Sequence, residues 1–298
     1  MDYKVIDYGG MRYKVAYDNI LKASSEGYKC QCRDIAYKYD VNSKYLDNIK
    51  KIYLLDGFAQ IKSENDMQTF INATNWVSLL LLSDKMPTIE QISSYELIQN
   101  VCRGVYAANC YAHAVVLNDV LLALGYISKY VFCMPVDYHF VDNHVVNLIF
   151  SKQLKKWVLF DAAQNLYYTD ENEVPLNLCE LRTRLIEGRV INTCLLDVYW
   201  ADLTLKEKLM YQNKNLIYMT KNMYRFSAYE NSYLDRLAGN REVLHYNLVP
   251  NQYMQTPFKQ VFYDMETATK HIEIYTSDAE KFWSNPEENE NDAKIIKL

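Results

Sequence analysis

The chain has 298 residues, half of them apolar, and a formal net charge of −5. That apolar content supplies a sizeable core and excludes general disorder. The mild negative charge, with no basic stripe, excludes a nucleic-acid binder that works by neutralising phosphates.

Tyrosine is abundant at 27 residues, while glycine (8) and proline (6) are scarce. Aromatic side chains mostly serve packing, so this bias is read as compositional first and as a sugar or peptide platform second. The N-terminal residues Met1–Asp7 carry no apolar stretch of the secretory type. The longest apolar run, Trp76 to Leu82, is far too short to span a bilayer. A cytoplasmic protein, without membrane contact and without nucleic acid, is the default expectation. The seven cysteines are odd in number and irregular in spacing, which fits free thiols in a reducing compartment. Cys30-Gln31-Cys32 is one residue short of the spacing that zinc and redox motifs use, and it reads as two small packing side chains. No carboxylate cluster has calcium-loop spacing, so no metal and no cofactor is expected.

In chain order, residues 3 to 15 alternate around Gly9-Gly10, which predicts a hairpin. Residues 44 to 54 form a short amphipathic segment. Ser63 and Asp66 have capping-box spacing ahead of Met67, Phe70, Ile71, Thr74, Val77 and Leu81, which share one helical face. Pro87 is expected to stop that helix, and Thr88 with Gln91 to begin another that runs in pieces to Val101. From Cys110 to Leu124 the apolar residues cover nearly the whole circumference, which predicts a helix buried on all sides, with Gly125 as its left-handed C-terminal cap. Strands are expected at about 128 to 136, 144 to 150 and 156 to 161. The last two are joined by a Lys-rich turn at 152 to 155 and so should form an antiparallel hairpin. Residues 176 to 187 read as helix, 203 to 221 as an amphipathic helix, 242 to 248 and 259 to 276 as strands, and the acidic end as a solvated tail. Three regions result: an extension over 1–60, a core domain over 61–195, and an α+β extension over 196–298 packed on the core or extending it.

The chemistry is concentrated around Cys110. A thiolate, rather than a thiol, is the nucleophile, and a helix N-terminus and a neighbouring imidazolium both favour it. Cys110 opens the buried helix, His144 opens one strand of the hairpin and Asp161 closes the other. If the hairpin shuts at its Lys-rich turn, His144 and Asp161 stand near its open end as cross-strand neighbours, the order that a Cys-His-Asp nucleophile requires. His139, five residues earlier, is a competing base, but it sits between Tyr138 and Phe140 in an expected loop. His113 lies one turn into the helix and could approach the thiol; it reads more simply as a satisfied side chain. Cys102 and Cys133 have no partner pattern and read as packing.

These motifs resemble those of the transglutaminase-like superfamily of thiol enzymes. The helix starting at Cys110 ends in Leu122-Ala123-Leu124-Gly125, a strand opens with His144, and Trp157-Val158-Leu159-Phe160-Asp161 brings the aspartate. The likeness covers roughly residues 65 to 165. The chain departs from the family pattern at Ala108, Val146 and Ala162, where glycine, an aromatic and proline are usual. The resemblance implies an α+β fold, with a transglutaminase-like or papain-like core in which an antiparallel sheet packs on the nucleophile helix. It also implies acyl transfer on a peptide, protein or small amide. An oxyanion donor beyond the backbone N–H of Cys110 is open between Trp76 and Gln99. A non-catalytic binding or scaffold relative fits the same residues, and selective thiol reactivity would separate the two.

Overall fold

The computed structural model describes residues 10–24, 35–39, 43–53, 61–81, 93–103, 108–136, 143–196, 200–231, 242–250, 259–265 and 268–286. Its centre is one nine-stranded sheet of β1 (Ser128–Met134), β2 (His144–Ser151), β3 (Lys156–Asp161), β4 (Leu166–Thr169), β5 (Asn192–Leu195), β6 (Arg225–Tyr229), β7 (Glu242–Leu248), β8 (Lys259–Asp264) and β9 (Thr269–Thr276). The spatial order is β5-β4-β3-β2-β1-β6-β7-β9-β8. All neighbours are antiparallel except β7 and β9. The protein is therefore mixed α+β.

Helices cover both faces of this sheet. On one side lie α2 (Lys44–Ile52), α3 (Asp66–Leu80), α4 (Ser94–Cys102) and α5 (Cys110–Ala123). On the other lie α1 (Gly10–Ala23), α6 (Leu178–Glu187), α7 (Leu205–Asn222) and the short α8 (Ala279–Phe282). The strands show how one sequence serves two cores. In β2, Val145 and Ile149 enter the α5 side while Val146, Leu148 and Phe150 enter the α7 side. Every residue of β2 is buried, which is why its sequence lacks the apolar–polar alternation of a half-exposed strand.

The expected β2–β3 hairpin forms, with Asn147 opposite Phe160 and Ser151 opposite Lys156. Its turn spans 152 to 155, with Lys155 at φ 52°. The buried Asp66, first residue of α3, holds that turn: its Oδ2 accepts from Ser151 Oγ and from Gln153 N, both at 3.0 Å. The helix from Cys110 is buried as expected and ends in a Schellman pair, Tyr126 N–H to Leu121 O and Gly125 N–H to Leu122 O, each at 2.9 Å. Gly125 has φ +87° there, in the left-handed region.

Several local expectations need correction. Residues 10 to 15 are helix rather than hairpin. α1 starts at Gly10, carries a Lys14–Asp18 bridge at 2.7 Å with i,i+4 spacing and packs on α6 and α7, so tertiary contact overrides the short alternating pattern. The helix expected from Ser63 starts at Asp66, because Asn65 Oδ1 accepts from Gln68 N–H and is the cap; Ser63 Oγ instead accepts from Asn65 N–H. It ends at Leu80, ahead of Pro87. Strands β4, β5 and β6 are additional to the expected set, and 259 to 276 is two strands. The Cys30/Cys32 pair, Pro87, Thr88, Gln91, His139 and the acidic residues after 286 lie outside the described residues. No described helix is long and apolar enough to cross a membrane.

Candidate active site

Three elements converge at one end of the hairpin. α5 brings Cys110 as its first residue. The preceding Asn109 is extended (φ −87°, ψ 179°), and its side chain accepts from Ala112 N–H at 2.9 Å. This is the cap an unpaired helix N-terminus needs, and it leaves the first-turn amides oriented towards the sulfur end. Asn147 of β2 donates through Nδ2 to the Ala114 carbonyl at 2.9 Å, fixing α5 against the sheet one turn further on.

β2 brings His144 as its first residue, opposite Cys133 of β1. β3 brings Asp161 as its last. The ladder aligns Asn147 with Phe160, so Asp161 lies level with Val146 rather than with His144. The pair is diagonal on the same face instead of directly opposed, and the imidazole spans the offset: Nε2 stands 2.6 Å from Asp161 Oδ2. The other carboxylate oxygen accepts the Gln164 backbone N–H at 3.0 Å. Both residues are sealed from solvent, His144 at 1% and Asp161 at 0% exposure. Cys110 is partly exposed, and its thiol is among the groups that act on the same imidazole. With Nε2 committed to Asp161, Nδ1 is the nitrogen left for the sulfur.

The electrostatics follow from this packing. Burial alone would push the His144 imidazolium down. The Asp161 charge and hydrogen bond, followed by those of Cys110, more than offset it and hold the ring protonated well above the usual imidazole range. Cys133 is buried beside the group, and its thiol is pushed up by burial and then by Asp161 and Cys110. It is the neutral packing thiol expected from the sequence.

His113 is 1% exposed and is a brace. Nδ1 lies 2.8 Å from the Asn109 carbonyl, and Nε2 lies 2.9 Å from the Leu81 carbonyl. It thus joins the residue before Cys110 to the end of α3; burial lowers its pKa despite both carbonyls. Trp76 lies on α3 with its ring 5.7 Å from that of Tyr53, and Gln99 is half-buried on α4. Cys102 is exposed.

Three supporting residues were not evident from the sequence. Ser78 of α3 donates to the Ala162 carbonyl at 2.6 Å, anchoring the chain just past Asp161. Gln164 closes the turn onto Asp161. Tyr218 of α7 sets its ring 5.1 Å from the His144 ring in a T-shaped contact. Only the polar residue in mid-helix or just after a strand could have marked them. No group of three or more His, Cys, Asp or Glu among the described residues is placed to hold a metal ion.

No family model matches the chain, and no curated protein does. Two solved structures are similar over part of it. One, from Cytophaga hutchinsonii, is described as a candidate cysteine protease; it is 19% identical, with a TM-score of 0.32, covering 41% of this chain and 39% of that one. The other, from Parabacteroides distasonis, is described as a candidate protease; it is 16% identical, with a TM-score of 0.28, covering 49% of this chain and 26% of that one. The matched stretch is thus well under half of either neighbour.

Proposed function

We propose that the chain is a cysteine-nucleophile acyl-transfer enzyme of the transglutaminase-like kind, acting on a peptide or related amide. The observation that carries this reading is the meeting of a partly exposed thiol at a capped helix N-terminus with a buried imidazole–carboxylate pair. In this reading Asp161 holds the ring through Nε2, and Nδ1 is the nitrogen that serves the sulfur, as in a nucleophile triad.

In the reaction, Cys110 sulfur attacks the substrate carbonyl carbon and an S–C bond forms as the carbonyl π pair moves to oxygen. The oxyanion is met by the Cys110 backbone N–H, with Trp76 or Gln99 as the proposed second donor. As the intermediate collapses, the C–N bond breaks and the leaving amine takes the proton from the His144 imidazolium. An acyl thioester remains. His144, now neutral, takes a proton from water as the water oxygen attacks the thioester carbonyl. The C–S bond breaks, the carboxylic acid leaves, and thiolate and imidazolium are restored. An amine in place of water gives transamidation by the same steps. Hydrolysis is the favoured outcome, and no cofactor is required by either route.

Thiol alkylation tests this reading. Cys102 is exposed, so it is an internal reference. Iodoacetamide at pH 6 to 7 is expected to modify Cys110 at least about tenfold faster than Cys102, read by peptide mass spectrometry, and His144→Ala is expected to remove that advantage. Equal labelling of the two cysteines would favour the non-catalytic scaffold instead.

A further inference from the structure

Among the described residues, α7 brings the C-terminal third of the chain to the candidate site. Three side chains of α7 recur at i, i+4 and i+7 spacing, Tyr211, Asn215 and Tyr218, and so lie on one face. Each meets a different part of the imidazole–carboxylate pair's surroundings. Tyr211 donates its hydroxyl to Gln164 Oε1, and Gln164 is the residue whose backbone N–H is bonded to Asp161 Oδ1. Asn215 accepts the hydroxyl of Tyr168 in β4, the strand paired with β3 at Asp161. Tyr218, only 8% exposed, donates its hydroxyl to the Asn143 carbonyl at 3.0 Å and lays its ring against His144.

On the reading that His144 is the catalytic base, we infer that Tyr218 is its positioning residue and that α7 is a structural part of the site. The reason is geometric. His144 is the first residue of β2, and its ladder on one side begins with Cys133. A residue at the start of a strand has no paired residue ahead of it to fix its backbone. The Tyr218 hydroxyl binds the carbonyl of the residue immediately before it, which fixes the His144 peptide plane. The Tyr218 ring fills the space next to the imidazole and limits rotation about its side-chain bonds. Asp161 constrains the ring at one nitrogen only, so a second contact is needed to hold Nδ1 towards the sulfur. An aromatic ring within about 6 Å also favours the charged imidazolium. Lys221, 4.8 Å from the Tyr218 ring, holds that ring from the same helix.

Among the described residues, the titratable groups around His144 include Asp161 from β3, Cys110 and His113 from α5, Cys133 from β1 and, through Tyr218, Lys221 from α7. Loosening the imidazole weakens its partnership with the sulfur, so Cys110 then reacts more slowly near neutral pH.

The test is the rate of Cys110 alkylation by iodoacetamide from pH 5 to 9 in the full-length chain, for wild type, Tyr218→Phe, Tyr218→Leu and His144→Ala. Tyr218→Phe removes the bond to Asn143 and keeps the ring; it should slow labelling at pH 7 about threefold to fivefold, in line with one hydrogen bond. Tyr218→Leu removes the ring as well; it should slow labelling at pH 7 about tenfold or more and move the profile towards alkaline pH, as His144→Ala does. Melting temperatures accompany each variant. If Tyr218→Leu fails to fold, the Tyr218→Phe profile decides alone, since its packing is intact. Wild-type profiles for both Tyr218 variants, with a shifted one for His144→Ala, would show that Tyr218 merely packs. A wild-type profile for His144→Ala itself would overturn the catalytic reading, and the positioning role with it.

Discussion

Two histidines carry opposite pH dependences, and each can be read from its neighbours. His144 is raised by Asp161 and Cys110 against its burial. Its contribution to stability is complete below the ordinary imidazole value of about 6.5 and is lost as pH rises through the raised value of the folded state. His245 of β7 lies 3.2 Å, Nε2 to Nδ1, from His271 of β9, and burial followed by that neighbour lowers it to about 3. Its contribution is complete above about 6.5 and is lost as pH falls from there towards the lowered value, with a slope of at most ~1.4 kcal/mol per pH unit. Urea unfolding between pH 7 and 4 should therefore show a smaller acid-side loss for His245→Asn than for wild type; parallel curves would rule the residue out. For Asp161→Asn, the imidazole keeps a hydrogen-bonding neighbour but loses the charge that offsets burial, and Cys110 labelling at pH 7 should fall about tenfold to a hundredfold, with the melting temperature reported alongside. A rate equal to wild type would remove Asp161 from the proposed mechanism. Cys110, His144 and Asp161 could be picked out as candidates because each sits at an element boundary that local sequence marks. Tyr218 was not, because its contact joins residues 75 apart in the chain and no local pattern encodes such a meeting.

Among the elements, α5 was the most legible and is the most exacting. Its all-round apolar sequence has one physical solution, burial against helices on one side and the sheet on the other. Its exit is set by Gly125 at φ +87°, with nothing within 4 Å of where a Cβ would stand. Gly125→Ala is thus a test of backbone strain alone, expected to cost about 1–2 kcal/mol in chemical denaturation. A change below a few tenths would mean that the turn relaxes freely. The hairpin of β2 and β3 was legible from its polar turn, yet the diagonal offset of His144 and Asp161 was not, since register depends on side-chain packing on both faces. α1 was misread because alternation over a dozen residues around two glycines looks like a hairpin. Its helix is selected by contact with α6 and α7, much later in the chain. Strands β4 to β6 are four or five residues long and carry too few residues for a period to show.

At the scale of the whole molecule, the sheet joins regions that composition alone would separate. β1 has β2 on one side and β6 on the other, so a strand from beyond residue 195 lies next to the strands that carry the candidate site. The C-terminal segment is held into the opposite core by Lys129 of β1. That side chain is buried, its Nζ lying 3.6 Å from the Tyr37 ring centroid and donating to the Phe282 carbonyl at 3.3 Å. Trp157 of β3 donates to the Ser284 carbonyl at 3.0 Å beside it. Deleting residues 279 to 298 should expose these rings and lower the melting temperature by several degrees, as the loss of a buried aromatic contact does. An unchanged melting curve would show that the sheet is stable without that cover.

The position of β6 beside β1 bears on what happens when the polypeptide is severed between Leu196 and Trp200. The amino-terminal piece would keep all three proposed reactive groups but turn Val131–Met134 into a bare border, its main-chain amides offered to any passing strand. Such a fragment should clump on its own and regain solubility when its missing half is supplied.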